Sequence, residues 1–185
     1  MAPRTARLSA QDWTRGALDL LMAEGVAALQ INRLCADLGV TRGSFYWHFA
    51  DLTELEAAVA ERWCEETRER LDQLAELDRL PPRERLRIMT LHLIDDASWS
   101  VERALREWAR STPQVAAVVG ESDQHVFELV ERAIVELGHD PTVARTRAGL
   151  LVYAGIGFAH GQSTLPKPTE ADVDQLLDFL AEPAS

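Results

Sequence analysis

The side chains best suited to hydrogen bonding with a ligand lie close together between positions 41 and 48 of this 185-residue chain. This short stretch combines hydroxyl groups, a guanidinium and an imidazole with a tyrosine and a tryptophan. Such donors on the outer and N-terminal side of a short helix suit base edges and phosphates in the major groove of DNA. The candidate contact residues are Thr41, Arg42, Gly43, Ser44, Tyr46, Trp47 and His48.

A helix-turn-helix is predicted to hold this segment, over residues 31–49 with the sequence INRLCADLGVTRGSFYWHF. Cys35 is a small side chain at the position where the two helices cross, and Gly39 supplies the left-handed turn residue. Val40 and Phe45 then fill the angle between the helices. An ordinary helical corner has the same spacing, so the pattern alone leaves that alternative open.

The remainder of the chain has the periodicity of further helices. Apolar residues recur at three- and four-residue spacing, and no run alternates with the period of a strand, which predicts an all-α fold. The first helix is expected to begin at a capping box of Ser9 and Asp12 and to end at Gly25, and Asp51 with Glu54 is expected to cap the fourth. Later helices are predicted from residue 51 to the proline pair at 81–82 and over residues 83–97, 100–110, 113–137, 141–161 and 171–180.

The stretch LGVTRGSFYWHFADLTEL resembles the signature of the TetR family of one-component transcriptional regulators. The resemblance is specific over residues 9–60, and beyond them only the number and pattern of helices correspond. It implies an N-terminal three-helix DNA-binding domain over residues 1–50. It also implies a helical ligand-binding and dimerisation domain over residues 51–185.

The resemblance further implies that the DNA-binding residues contact different parts of the DNA. Arg42 and Ser44 are the better candidates for base edges, and Tyr46 and His48 for phosphates. The start of the second helix would approach the DNA backbone, and a basic arm would precede the first helix. These additional candidates are Gln30, Asn32 and Arg33 in the second helix, with Arg4 and Arg7 in the arm.

Two positions depart from the pattern of that family. Members usually carry a lysine that contacts phosphate at the start of the fourth helix, where this chain has Leu52. The second helix usually begins with Thr or Ser, where this chain has Gln30, which is a poorer cap. Both changes remove backbone affinity or rigidity, so DNA binding is expected to be weak or sensitive to salt.

Charge is distributed unevenly along the chain. The whole sequence has 19 basic and 30 acidic residues, for a net charge of −11. Residues 1–50 contain five arginines and four acidic residues, whereas the remaining 135 residues carry a net charge of −12. An acidic surface repels phosphate. We therefore expect the arginine-bearing residues 1–50 to contact DNA, while the acidic remainder of the chain does not. The non-specific affinity for DNA is then expected to be low.

A dimer is expected, because one recognition helix spans too few base pairs for useful selectivity. The long apolar helices over residues 113–137 and 141–161 offer faces for a four-helix interface between two copies. The alternative is that these side chains form the core of a monomer. The candidate interface residues are Phe127, Val130, Ile134, Leu150, Leu151, Ala154, Gly157 and Phe158.

The middle of the chain, where the family places its ligand cavity, contains aromatic and methionine side chains suited to an organic effector. The candidates are Trp63, Met89, His92, Asp96, Trp99, Trp108 and Tyr153. Aromatic residues at this spacing also occur in plain core. His92 and Asp96, four residues apart, have the spacing of metal ligands or of an acid–base pair, but a solvated or salt-bridged pair is the favoured interpretation.

These observations predict a cytoplasmic transcriptional regulator that represses by binding a palindromic operator as a homodimer and is released by a small-molecule effector. The alternative is a TetR-like helical dimer that has lost DNA binding and acts as a ligand-binding or protein-interaction module. An enzyme would have to use Cys64, His92 and Asp96, but the sequence places no nucleophile beside a base. No catalytic site, metal or cofactor is predicted. The longest small and apolar stretch is too short to cross a membrane.

Overall fold

The computed structural model describes residues 8–94, 96–161 and 166–181, and within these ranges the chain is helical with no β-strand. The all-α prediction is therefore confirmed. The helices are α1 (Ala10–Glu24), α2 (Ile31–Asp37), α3 (Arg42–Phe45), α4 (Leu52–Leu74), α5 (Pro82–Leu93), α6 (Asp96–Ala109), α7 (Pro113–Glu136), α8 (Pro141–Gly161) and α9 (Glu170–Ala181), with 3₁₀ turns over Val26–Ala28 and Ala75–Arg79.

Local hydrogen bonds explain where the helices begin. At α1 the Ser9 amide donates to Asp12 Oδ2 at 2.8 Å, and the Asp12 amide donates to Ser9 Oγ at 3.2 Å, which completes the predicted capping box. The hydrogen bond from the Ser9 side chain lowers the pKa of the Asp12 carboxyl. At α4 the Glu54 amide donates to Asp51 Oδ1 at 2.9 Å, while the Ala50 amide donates to Glu54 Oε2 at 2.6 Å. Both predicted caps are confirmed.

The boundary between α5 and α6 differs from the predicted one. The sequence predicted helices over residues 83–97 and 100–110, with Ser100 as the start of the second. Instead α5 ends at Leu93 and α6 already begins at Asp96. The Ile94 amide bonds to the Leu91 carbonyl in a 3₁₀ geometry, which tightens and ends α5.

The chain divides into two compact units. The first unit is the described part of Met1–Glu66 together with Ala104–Ala116, and the second is Thr67–Arg103 together with the described part of Ala117–Ser185. The core of the first unit includes Trp13, Leu21, Leu34, Phe45 and Leu55, all fully buried. The domain boundary at residue 50 stays a prediction.

In the second unit, helices α5, α7, α8 and α9 share one apolar core. It contains Leu86, Val130, Ala133, Ile134, Ala144, Ala148, Leu151, Val173, Leu177 and Leu180. Ion pairs also join α5 to α9: Arg83 Nη2 lies 2.5 Å from Asp178 Oδ1, and Arg87 Nε lies 2.8 Å from Asp174 Oδ1. The last helix is thus held by apolar burial on one side and by arginine–carboxylate pairs on the other.

Candidate nucleic-acid interface

The turn between α2 and α3 has the geometry of a helix-turn-helix. Gly39 has a φ of +66°, the left-handed conformation that glycine adopts without steric cost. The Gly39 amide donates to the Ala36 carbonyl at 3.2 Å and the Val40 amide to the Cys35 carbonyl at 2.9 Å, so α2 ends in a closed hydrogen-bonded turn. The chain then enters α3 two residues after Val40.

Phe45 anchors α3 to the interior of the first unit. Its side chain is fully buried, and its ring lies edge-on to Trp13 with 5.4 Å between the centroids. Phe49 and Tyr46 also pack on this ring, at 5.7 and 5.3 Å. Because α3 is only four residues long, this aromatic cluster rather than the helix itself fixes its position.

The candidate contact residues lie around this anchor on the accessible side. Thr41, Arg42 and Gly43 are exposed, as is Tyr46, while Ser44 and His48 are half-buried. Trp47 is 76% exposed, which is unusual for so large an apolar ring. The structure thus leaves the predicted residues of α3 and the following turn accessible to a ligand.

Arg42 and Tyr46 form a pair within this surface. Arg42 Nη2 donates to Tyr46 Oη at 3.2 Å, and the guanidinium carbon lies 5.9 Å from the centre of the tyrosine ring. The tyrosine is neutral, so this contact orders the arginine without cancelling its charge. An ordered cationic fork on an exposed helix suits a guanine edge or a phosphate.

At the start of α2 the predicted residues are exposed but differ in their partners. Gln30 is the N-cap and makes no side-chain cap hydrogen bond, as its residue type predicted. Asn32 is exposed. Arg33, expected to contact the DNA backbone, pairs instead with Glu24 and Asp37, at 2.6 and 2.9 Å.

Leu52 begins α4 and is half-buried, so an apolar side chain occupies the position where the family commonly has lysine. Arg4 and Arg7, the predicted basic arm, lie outside the described residues. The prediction for that arm therefore stays a prediction.

Gly16 is a structural residue that the sequence reasoning missed. A Cβ atom on Gly16 would lie 2.9 Å from Cδ2 of Leu38, the C-cap residue of α2, so the Leu38 side chain packs against α1 in space that an alanine would partly fill. The available signal was a glycine in the middle of an otherwise regular helix, where it costs about 1 kcal/mol relative to alanine. Cys35, predicted at the crossing, is buried, and that burial raises the pKa of its thiol.

The structure scatters the predicted effector residues. Trp63 and Trp108 are buried in the first unit with their ring centres 6.1 Å apart, as expected of core side chains. Met89 packs against the core of the second unit, whereas His92 and Tyr153 are exposed. The side chains of Asp96 and Trp99 lie outside the described residues.

Among the side chains that are described, no group of three or more acidic, histidine or cysteine residues is arranged to hold a metal.

The predicted dimer residues separate into two groups. Val130, Ile134 and Leu151 belong to the core of their own chain, which is the alternative that the sequence left open. Phe127 and Phe158 are half-buried, while Leu150, Ala154 and Gly157 are exposed on α8. Tyr153, predicted for the effector site, is 73% exposed on the same helix.

In the described part of the chain, no helix is long and apolar enough to cross a membrane.

Comparison with known proteins finds a match to one family model over the segment that contains α2 and α3. Residues 14–59, which span most of α1, all of α2 and α3 and the first turns of α4, match the family model described as bacterial regulatory proteins, tetR family.

Three solved structures are similar to the chain along most of its length. A transcriptional regulator from Rhodococcus sp. Rha1 is 18% identical, with 94% of each chain covered and a TM-score of 0.67. A TetR-like transcriptional regulator from Rhodococcus sp. RHA1 is 22% identical, with 98% of this chain and 96% of that chain covered and a TM-score of 0.60. The regulator FadR from Bacillus subtilis, in complex with stearoyl-CoA, is 15% identical, with 94% of this chain and 98% of that chain covered and a TM-score of 0.57. Residues 14–59 thus match the model of this family, and the chain shares its fold with solved transcriptional regulators.

Proposed function

We propose that the protein is a cytoplasmic transcriptional repressor that binds a palindromic operator as a homodimer and leaves it when a small-molecule effector binds. The observation that carries this proposal is the construction of α3. Phe45 is completely buried, while Thr41, Arg42 and Trp47 beside it are exposed on this short helix and its flanks.

In this proposal the side chains of α3 and the following turn, both exposed and half-buried, contact different parts of the DNA. Arg42 reads a base edge, because its ordered guanidinium matches the paired acceptors of guanine. Ser44 adds a second base contact, and the hydroxyl of Tyr46 and the imidazole of His48 bind phosphates. Exposed Trp47 offers an apolar face to a thymine methyl group.

Two copies are proposed to associate through α8 and α9. These helices expose Leu150, Tyr153 and Phe179, three large apolar side chains within the second unit. Exposed apolar residues on neighbouring helices of one unit commonly mark a protein interface. A two-fold dimer would present two recognition helices to half-sites about one DNA turn apart, roughly 34 Å.

The effector is proposed to bind in the second unit, where α5, α8 and the segment around α9 enclose a crevice of about 110 Å³. Its walls include Ile94, Leu151, Phe158 and Leu176, with Thr90 as one of its few polar residues. This volume is small next to the several hundred Å³ of a typical pocket, so it suits a short alkyl chain or a single ring.

The energy required for release is within reach of such a site. A hundredfold loss of operator affinity needs about 2.7 kcal/mol of difference in effector affinity between the two dimer shapes. At about 0.8 kcal/mol per buried methylene, three or four methylenes buried in one shape only would provide it.

The test is DNA binding by the purified dimer, measured by gel shift at low salt on fragments that flank its own coding sequence. We expect one palindromic fragment to bind, and Arg42→Ala to abolish binding. Arg110→Ala, which removes an exposed arginine at the end of α6, is the matched control and should bind normally. A folded dimer that binds none of these fragments would refute the regulator and favour the ligand-binding or protein-interaction module.

A further inference from the structure

Arg33 is held by two carboxylates in the geometry with which an arginine binds phosphate. Its Nη1 and Nη2 donate to Oε2 and Oε1 of Glu24 at 3.1 and 2.6 Å, which is a two-pronged contact. Its Nε donates to both oxygens of Asp37, at 3.1 and 2.9 Å. The edge of the guanidinium that would grip a phosphate is therefore already filled by a carboxylate of similar shape.

The charge of this Arg33 cluster, defined as Glu24, Arg33 and Asp37, sums to −1. Hydrogen bonds from Arg33 to Glu24 and then to Asp37 raise the pKa of the arginine, which favours its charged form. The side chains are all close to half exposed, which leaves them open to solvent and to a passing polyanion. Arg42 differs, because its partner is a neutral tyrosine.

This arrangement bears on non-specific DNA binding, which rests on cations that displace counterions from phosphates. An arginine that is already paired with two carboxylates displaces no counterion from a phosphate unless it first breaks those pairs. The position of Arg33 on the first turn of α2, beside the proposed contacts Gln30 and Asn32, makes it the cation whose release would matter.

We infer that Glu24 and Asp37 restrain non-specific DNA binding by holding Arg33 away from phosphate. The inference rests on the proposed function. In it, the two carboxylates act as an internal substitute for the DNA backbone, so selectivity is left to Arg42 and the other residues around α3. Neutralising both carboxylates releases the arginine and adds one phosphate contact.

The experiment compares four proteins on a labelled duplex of mixed sequence, by fluorescence anisotropy over a range of salt concentrations. They are the wild type, Glu24→Gln/Asp37→Asn, the same pair with Arg33→Gln added, and Arg33→Gln alone. We expect the double variant to steepen the dependence of log K on log salt by about 0.9, and to bind roughly eightfold more tightly at 0.1 M salt. Adding Arg33→Gln should remove that gain. Arg33→Gln alone should leave the slope unchanged.

The matched control is Asp19→Asn/Glu61→Gln, which changes the net charge by the same amount at two exposed positions of α1 and α4. An equal gain in this control would overturn the inference, because the effect would then be one of overall charge. So would a slope that falls by about 0.9 in Arg33→Gln alone, since Arg33 would already engage phosphate. If the wild type binds DNA and Glu24→Gln/Asp37→Asn does not change that binding, the inference is overturned while the proposed function stands. No binding by any of the proteins overturns the proposed function with it.

Discussion

Arg85 places a full positive charge inside the second unit, and its environment predicts an asymmetry in the cost of removing it. The side chain is 0% exposed and pairs with Asp78 and Glu136, whose side chains are 33% and 43% exposed. Its Nε has no acceptor among the described residues. When Arg85 is removed, both carboxylates regain water. When the carboxylates are neutralised, a buried guanidinium keeps its charge with weaker partners.

We therefore expect Arg85→Met to cost about 1 kcal/mol or less, because methionine fills the space and the desolvation penalty disappears. Asp78→Asn/Glu136→Gln should cost about 3 kcal/mol, the usual result of leaving a buried charge without its counter-charge. Urea unfolding followed by circular dichroism gives both free energies. Arg79→Met, at an exposed pair with Glu76, is the control and should change stability by under about 0.5 kcal/mol. The reasoning fails if Arg85→Met is the more costly change.

Three further outcomes are expected. Leu52→Lys should steepen the salt dependence of DNA binding by about 0.9 and raise affinity roughly eightfold at 0.1 M salt; an equal gain from Leu52→Gln would contradict a charge effect. The free energy of unfolding of Gly16→Ala should lie within about 1 kcal/mol of the wild-type value, because the end of the Leu38 side chain can move and alanine favours the helix. Gly16→Val should lower that free energy by about 1–3 kcal/mol. Equal urea midpoints for the two variants would argue against close packing of Leu38 on Gly16. The hydrogen bond from Arg87 lowers the pKa of Asp174 below its ordinary value of 3.8. The melting temperature of the wild type should therefore exceed that of Asp174→Asn at neutral pH, and the difference should shrink as the pH falls through the lowered pKa; a difference that does not change on acidification would contradict this.

The parts of the fold that the sequence predicted depend on groups close together in the chain. Ser9 and Asp12 are three residues apart, as are Asp51 and Glu54, and both capping pairs form as expected. Gly39 adopts the left-handed turn for a reason intrinsic to glycine. Such signals can be read from the sequence, because the interacting groups lie within one helical turn of each other.

The parts that the sequence left open depend on choices between elements. Helix α8 is apolar on nearly every side, so periodicity does not indicate that Leu151 faces the core while Leu150 faces outward. The pairing of Arg33 with Glu24 crosses from α2 to the end of α1, and neither residue type specifies it. Acidic residues are so common in this chain that the true partner of each arginine emerges only in three dimensions.

The four-residue length of α3 has a consequence for how this protein can change its target. Phe45, held against Trp13, determines where the helix lies, while Thr41 and Arg42 are exposed on its outer side. Substitutions at these outward positions should thus cost little stability, since surface changes usually stay within about 0.5 kcal/mol. In the proposed function, foldability and operator choice are then encoded by different residues, so operator preference could drift over generations on an unchanged scaffold.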